Sequence, residues 1–145
     1  MSDMPSTAIA NFMQRDFVVV REKASGVKPA VQMTKQRIGC LVVYDESGDS
    51  EHQPIVGLVS ETDLVRKVLE SDPLDLSTPV GQFMWNELQL VSANRSILEA
   101  SDLMAEKWIR HLPVTENDSN VGILYAQDLI IMVALGDRPR FLRQK

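Results

Sequence analysis

The residues best suited to chemistry in this chain are two aspartates in matching surroundings. In GLVSETDLVRKVL, residues 57–69, a short apolar run ends at Ser60, Asp63 follows three residues on, and an amphipathic helical pattern begins. Further along, the chain writes GILYAQDLIIMVAL, where Gly122 answers Gly57 and Asp128 answers Asp63. A carboxylate in the first turn of a helix lies among free backbone amides at the positive end of the helix dipole, which keeps it charged. Once ionised it only accepts hydrogen bonds, so it can hold a ligand that offers hydroxyl donors. The same spacing, a serine with an acid three residues later, is also a capping box that does no more than start a helix. Tyr125 stands where the later stretch would need its serine, so Asp128 is not the reciprocal partner of a serine cap.

Other reactive side chains are few. His52 lies in an acidic loop, His111 stands next to an apolar strand, and Cys40 sits in the run GCLVV, where a thiol behaves as a small buried hydrophobe rather than a thiolate. The Cys and His spacings do not suit zinc, and no glycine-rich phosphate loop is present. The expectation is therefore a binding protein and not an enzyme, with no catalytic residues, no metal and no required cofactor.

Composition narrows the partners. With 145 residues and a 44% hydrophobic share, the chain is long enough for a real core. A net charge of −5 and a pI near 5.0 give no overall attraction to nucleic acid or to anionic lipid. The longest apolar run, Leu129 to Leu135, is far below the roughly 18 residues that span a bilayer. MSDMPSTA, with an acid, a proline and no apolar core, does not read as a secretory signal, and a single cysteine suits a reducing cytoplasm. The tail 137–145 is locally basic, with Arg138, Arg140, Arg143 and Lys145 against Asp137, and reads as a solvated terminus.

The elements that must position the aspartates occur twice. NFMQRDFVVV, residues 11–20, overlays QFMWNELQLV, residues 82–91, pairing Phe12 with Phe83 and Met13 with Met84. The same offset pairs Met33 with Met104, Ile38 with Ile109, Leu41 with Leu112 and Val43 with Val114; past it the first copy carries a longer polar loop, DESGDSEHQP. Each copy reads as short helix, strand, helix, strand, strand, helix. In the first these are FVVV, a helix over about 27–35, GCLVVYD, PIVGLVS and a helix over 61–69. In the second, Thr78 and Pro79 look like an N-cap and first helical residue, and Leu88 to Val91 reads as a strand. Ser96 then caps a helix with apolar positions Ile97, Ala100, Leu103, Met104 and Trp108, followed by the strands HLPVT and VGILY. A unit of about 60 residues buries little apolar surface alone, so the copies are expected to pack as a pseudo-twofold pair. The last helix, LIIMVAL, is apolar around nearly its whole circumference, which calls for cover from the sister copy or from a second chain.

This pattern resembles a tandem pair of CBS motifs, a Bateman module, over about residues 8–136. FMQRDFVVV and FMWNELQLV, SDLMAEKWIRHLPV, GLVSETDL and the weaker copy GILYAQDL carry the resemblance. It implies an α/β (α+β) fold of two repeats, 8–72 and 76–136, followed by the basic tail 137–145. It also implies an adenosine-containing regulatory ligand in the cleft between the repeats, and action on a separate, unknown regulated protein. A disc-like homodimer through the terminal helices is the implied assembly.

On that basis Asp63 is the candidate ribose acceptor, since one carboxylate can take both ribose hydroxyls, and Asp128 is its counterpart. Ser60, with Thr62 beside it, is placed to donate to a phosphate. Family resemblance sets Arg110 and His111, just before the LPV strand, against the phosphates, whereas the first copy has Gly39 and Cys40 there with Arg37 nearby. One good site and one poor or vacant site are expected. Val18 and Val19, with Gln89 and Leu90 opposite, are the adenine-lining positions. Ligand sensing and a ligand-free dimerisation scaffold both fit the residues. AMP, ADP, ATP and S-adenosylmethionine all remain open, with Arg110 and His111 favouring a phosphorylated one.

Overall fold

A computed structural model describes residues 8–46, 55–71, 73 and 75–135, with side chains through 130. The chain forms two compact units, Val18–Leu88 and a second that joins Met1–Phe17 to Gln89–Lys145. Sequence repeat and spatial unit are thus out of step. Phe12 and Met13, which open the first copy, lie in the unit that the second copy builds, while Phe83 and Met84 lie in the unit of the first.

In the unit Val18–Leu88 the order is β1 (Val19–Arg21), α1 (Val27–Gln36), β2 (Cys40–Tyr44), β3 (Ile55–Ser60) and α2 (Glu61–Glu70), closed by a 3-10 turn at Val80–Gln82. The sheet runs β1-β2-β3, parallel between the first two strands and antiparallel between the last two. Because strand side chains alternate, Val20, Leu41, Val43 and Val59 face one way and pack with Met33, Leu64 and Val80. Helix α1 ends at Arg37, whose φ of 54° reverses the chain while its N–H bonds back to the Met33 carbonyl.

The other unit follows the same plan with β4 (Val91–Ser92), α3 (Ile97–Lys107), β5 (His111–Glu116), β6 (Ser119–Tyr125) and α4 (Ala126–Leu135), preceded by a 3-10 turn at Ile9–Asn11. Its core gathers Ile9, Phe12, Met13, Ile97, Ala100, Met104, Leu112, Val114 and Leu124. Both units are α+β, a three-stranded sheet with helices.

Each relocated segment meets its sheet through a short backbone bridge. Trp85 and Leu58 exchange N–H to carbonyl bonds of 2.8 and 2.9 Å, and Gln14 and Ile123 do the same at 2.8 and 2.9 Å. Glycine is required where the segment crosses. A Cβ on Gly57 would fall 2.5 Å from Met84 Sδ and 2.7 Å from the Trp85 carbonyl oxygen, and one on Gly122 would fall 2.8 Å from both Met13 Sδ and the Gln14 carbonyl oxygen. The repeated Phe-Met pair and the repeated glycine are therefore two halves of one contact.

Several sequence readings shift. Pro79 is not the first residue of an α-helix: with φ −57° and ψ 140° it is the extended residue before the 3-10 turn, and Thr78 lies in the bend ahead of it. The strand expected over Leu88 to Val91 shrinks to Val91–Ser92, because its parallel pairing with β5 covers only Val91 with Val114 and Ser92 with Thr115. Trp108 leaves the apolar face of α3: it occupies the left-handed reversal after Lys107, with φ 56°, and is 92% exposed. Leu129 on α4 is buried while Ile130 is 66% exposed. The side chains of 131–135, the loop that holds His52 and the tail 137–145 lie outside the described residues.

The close approach gives a stability test. Gly57→Ala is expected to lower the unfolding free energy in urea by about 1–3 kcal/mol, because backbone must yield as well as the Met84 side chain. Gly39→Ala, whose Cβ would meet only the Glu61 carboxyl group, nearest at 3.4 Å, should change it by less than about 0.5 kcal/mol. Equal effects at the two positions would remove the approach as the reason for glycine.

Candidate ligand-binding site

Strand β3 runs directly into α2, so the last strand residue is also the helix N-cap. Ser60 Oγ accepts from the Asp63 N–H at 3.3 Å. In return, the Ser60 N–H and hydroxyl both donate to Asp63 Oδ2, at 2.9 and 3.0 Å. The capping box is therefore formed. Asp63 is buried, and Arg66, one helical turn on, donates from Nη1 to Oδ1 at 3.3 Å. Of the roughly four lone-pair directions on a carboxylate, three are used. The remaining one is on Oδ1, and Arg66, which takes the other there, is a mostly exposed side chain. Thr62 is exposed in the same first turn.

The sheet face turned away from the unit's helix-packed core leads to this carboxylate. Val19, Val42 and Leu58 form one cross-strand row, and Cys40 pairs with Ser60 in the row nearer α2. Strand spacing and rise place Val19 on the order of 10 Å from the Ser60 end, about the reach of a nucleoside. Val19 is 44% exposed, whereas Val20 beside it is in the core. Val18 is half-buried against the core, and its carbonyl accepts from the Val42 N–H at 3.0 Å. The structure thus brings Val18, Val19, Ser60, Thr62 and Asp63 onto one unit.

The corresponding end of the other unit is built differently. Leu90, 50% exposed, and half-buried Gln89 precede β4, at the positions that correspond to Val19, the first residue of β1, and Val18 before it. His111 pairs with Tyr125 where Cys40 pairs with Ser60, and the two rings meet edge to face with centroids 5.2 Å apart. Arg110 is exposed, and its carbonyl accepts from the Ala126 N–H at 2.9 Å, as Gly39 serves Glu61 at 3.1 Å. This confirms the equivalence of Gly39 and Cys40 with Arg110 and His111. Buried Asp128 receives Gln14 Nε2 on Oδ2 at 2.9 Å.

Two of these partners were missed in the sequence. The Arg66 contact was visible as an aspartate and arginine three apart on one helix face. The Gln14 contact was not, because it depends on the relocated segment. Cys40 is buried in the sheet, and burial, reinforced by the nearby negative Asp63, pushes its thiol up to about 12 from 9.0. Among the described residues, no cluster of His, Cys, Asp and Glu is disposed to hold a metal, and no helix is long and apolar enough to cross a membrane.

Two three-stranded sheets, each followed by a helix with an aspartate in its first turn, make a duplicated α+β fold. Residues 9–70 and 80–134 both match the CBS domain family model, and the chain belongs to that family. It is 30% identical over 113 residues to the mitochondrial CBS domain-containing protein CBSX3 of Arabidopsis thaliana, covering 77% of this chain and 53% of that one, so it spans about half the relative's length. An uncharacterized conserved protein of Pyrococcus horikoshii has a crystal structure that matches with a TM-score of 0.76 and 26% identity, over 89% of this chain and 93% of that one. The CBS domain pair of protein MJ0100, solved with 5'-methylthioadenosine and S-adenosyl-L-methionine, shares the fold with a TM-score of 0.76 at 18% identity, over 92% of this chain and all of that one.

The raised Cys40 thiol has a pH signature. The fold favours the neutral thiol, so its contribution to stability is complete below about pH 9 and is lost as pH rises towards about 12. The native protein is expected to react with a thiol-specific disulfide reagent at pH 8 only at the rate of unfolding, while Cys40→Ala should flatten the stability loss above pH 9. Rapid labelling of the folded chain would show the thiol to be accessible.

Proposed function

We propose that this chain is a regulatory module that takes an adenosine-containing ligand, AMP, ADP or ATP foremost and S-adenosylmethionine as the further candidate, and acts on a separate protein. The observation that carries this reading is the Ser60 and Asp63 pair at the end of a sheet face whose outer strand exposes Val19. Asp63 would accept the ribose hydroxyls, Ser60 and Thr62 would face a phosphate, and Val18 and Val19 would lie against adenine. Arg110, an exposed cation, and His111 beside it would serve a phosphate, and Gln89 and Leu90 would lie against an adenine. Asp128, already engaged by Gln14, with Tyr125 replacing the serine, belongs to the poorer position. Family membership supports the reading, as does the adenosyl occupancy of the MJ0100 pair.

The mechanism requires no chemistry on the ligand. A ligand shifts a protein between two arrangements only by binding one more tightly than the other, so regulation rests on that difference. We place the module in the cytoplasm as a homodimer through its terminal helices, with exposed Ile130 as one apolar residue available for cover. The competing reading, a ligand-free dimerisation scaffold, is favoured by one specific observation. Ser60 and Asp63 satisfy each other's hydrogen bonds.

Calorimetric titration with AMP, ADP, ATP and S-adenosylmethionine separates the two. Asp63→Asn keeps an oxygen for the Ser60 cap but loses charge and an acceptor, and it should weaken binding about tenfold to a hundredfold, the equivalent of a charge-assisted hydrogen bond. Unchanged affinity would return Asp63 to its capping role, and no heat with any ligand would leave the scaffold. Arg110→Ala is expected to weaken ATP by more than it weakens adenosine; an equal effect would remove Arg110 from the phosphate.

A further inference from the structure

The internal repeat exposes a second site at the other end of the second unit's sheet. In the unit Val18–Leu88, Arg21 pairs with Tyr44 across β1 and β2. Its guanidinium lies over that sheet end, with Nε donating to the Tyr44 hydroxyl at 3.0 Å and Nη1 3.7 Å from Glu46 Oε2. The equivalent pair in the other unit is Ser92 with Thr115. The equivalence is fixed by backbone bonds: the Glu22 N–H donates to the Tyr44 carbonyl as the Ala93 N–H donates to the Thr115 carbonyl. Where the first unit lays down a cation and an aromatic ring, the second has two short hydroxyl side chains. A groove of about 480 Å³ opens there, lined among the described residues by Ser92, Asn94, Thr115, Glu116 and Asn117, with Ala8, Ala10 and Ala93 as small walls.

The groove's lining suits the group that its sister unit supplies from its own chain. Glu116 brings a carboxylate, and the hydroxyls and side-chain amides bring further acceptors, while the alanines leave room for an aliphatic stem. A guanidinium is a planar fork of donors that pairs with a carboxylate through two bonds at once. The groove's volume falls in the ordinary range for small-molecule sites, about 300–1,000 Å³. The chain's net charge of −5 draws cations. We propose that this groove binds a small guanidinium-bearing molecule. It stands at the opposite end of β5 from His111, so it is a separate site from the adenosyl reading and does not depend on it.

The test is a titration of the isotope-labelled full chain with agmatine, followed by amide chemical shifts. Saturable movement of the Asn94, Glu116 and Asn117 amides is expected, together with at least a fivefold weaker response in Glu116→Gln. The double variant Ser92→Arg with Thr115→Tyr, which installs the sister unit's own pair, should fill the groove and abolish the shifts. Ser92→Arg alone serves the same purpose should the double variant not fold. Shifts that stay linear with concentration, that persist when the groove is filled, or that 1,4-diaminobutane reproduces at equal strength would overturn the proposal. So would shifts with a blocked arginine tripeptide but none with agmatine.

Discussion

Everything in each unit depends on one steric constraint, the crossing of a relocated backbone segment over a glycine on the last strand. A three-stranded sheet leaves the outer edge of that strand with open amides and carbonyls, which must be paired or covered. Here the cover is a single bridge of two bonds, Leu58 with Trp85 in one unit and Ile123 with Gln14 in the other. Neither bridge could form with a side chain on Gly57 or Gly122, and neither would be anchored without the core residues that flank it, Val80 in one case and Ile9, Phe12 and Met13 in the other. The strands that the bridges cover run on to Ser60 and Tyr125, directly before α2 and α4.

Much of this was legible because periodicity and capping are local. The helix from Val27, the capping box at Ser60, the N-cap at Ser96 and the buried strand around Cys40 all follow from nearest-neighbour chemistry, and the structure has each of them. What failed was set by partners distant in sequence. The strand at Val91 is short because its neighbour in the sheet pairs with only two residues, and no property of LQLV itself says so. Trp108 falls off its helix because the left-handed reversal comes one residue earlier than the apolar spacing suggests. The relocated segments were visible only as a repeat, in the matched Phe-Met pairs and glycines, and the repeat alone does not say which copy a segment joins. For the candidate site, the Ser60–Asp63 hydrogen bonds were readable as a capping box, whereas the Gln14 contact to Asp128 was not.

The duplication works as an internal control on each residue's role. Corresponding aspartates begin α2 and α4, yet one is held by its own serine and arginine and the other by a glutamine from the relocated segment. What the two environments share is the first helical turn and its dipole, which is therefore the common reason for an acid at both positions. What differs is whatever stands around the carboxylate. Ser60 and Cys40 are small, whereas Tyr125 and His111 fill the same positions with two rings set edge to face. The copies have kept a scaffold and diverged at the strand ends, at the aspartate end and the turn end alike.

The capping box and a ribose contact are not alternatives in the strict sense, because the cap draws on Oδ2 and leaves Oδ1 to Arg66 or a ligand. A buried carboxylate without partners would be costly, so an unliganded site must satisfy Asp63 from within. Ser60 does this through its own N–H and hydroxyl, and Arg66 does it from the surface side. Of the three contacts, the Arg66 one is the longest, comes from a mostly exposed side chain, and is the least expensive to surrender. On the proposed reading, a diol arriving at Oδ1 would replace a weak, screened ion pair with charge-assisted hydrogen bonds and would leave the helix cap intact. In the structure the cap fixes the carboxylate through Oδ2, and Arg66 is the one partner on Oδ1 that a ligand could displace without breaking the cap.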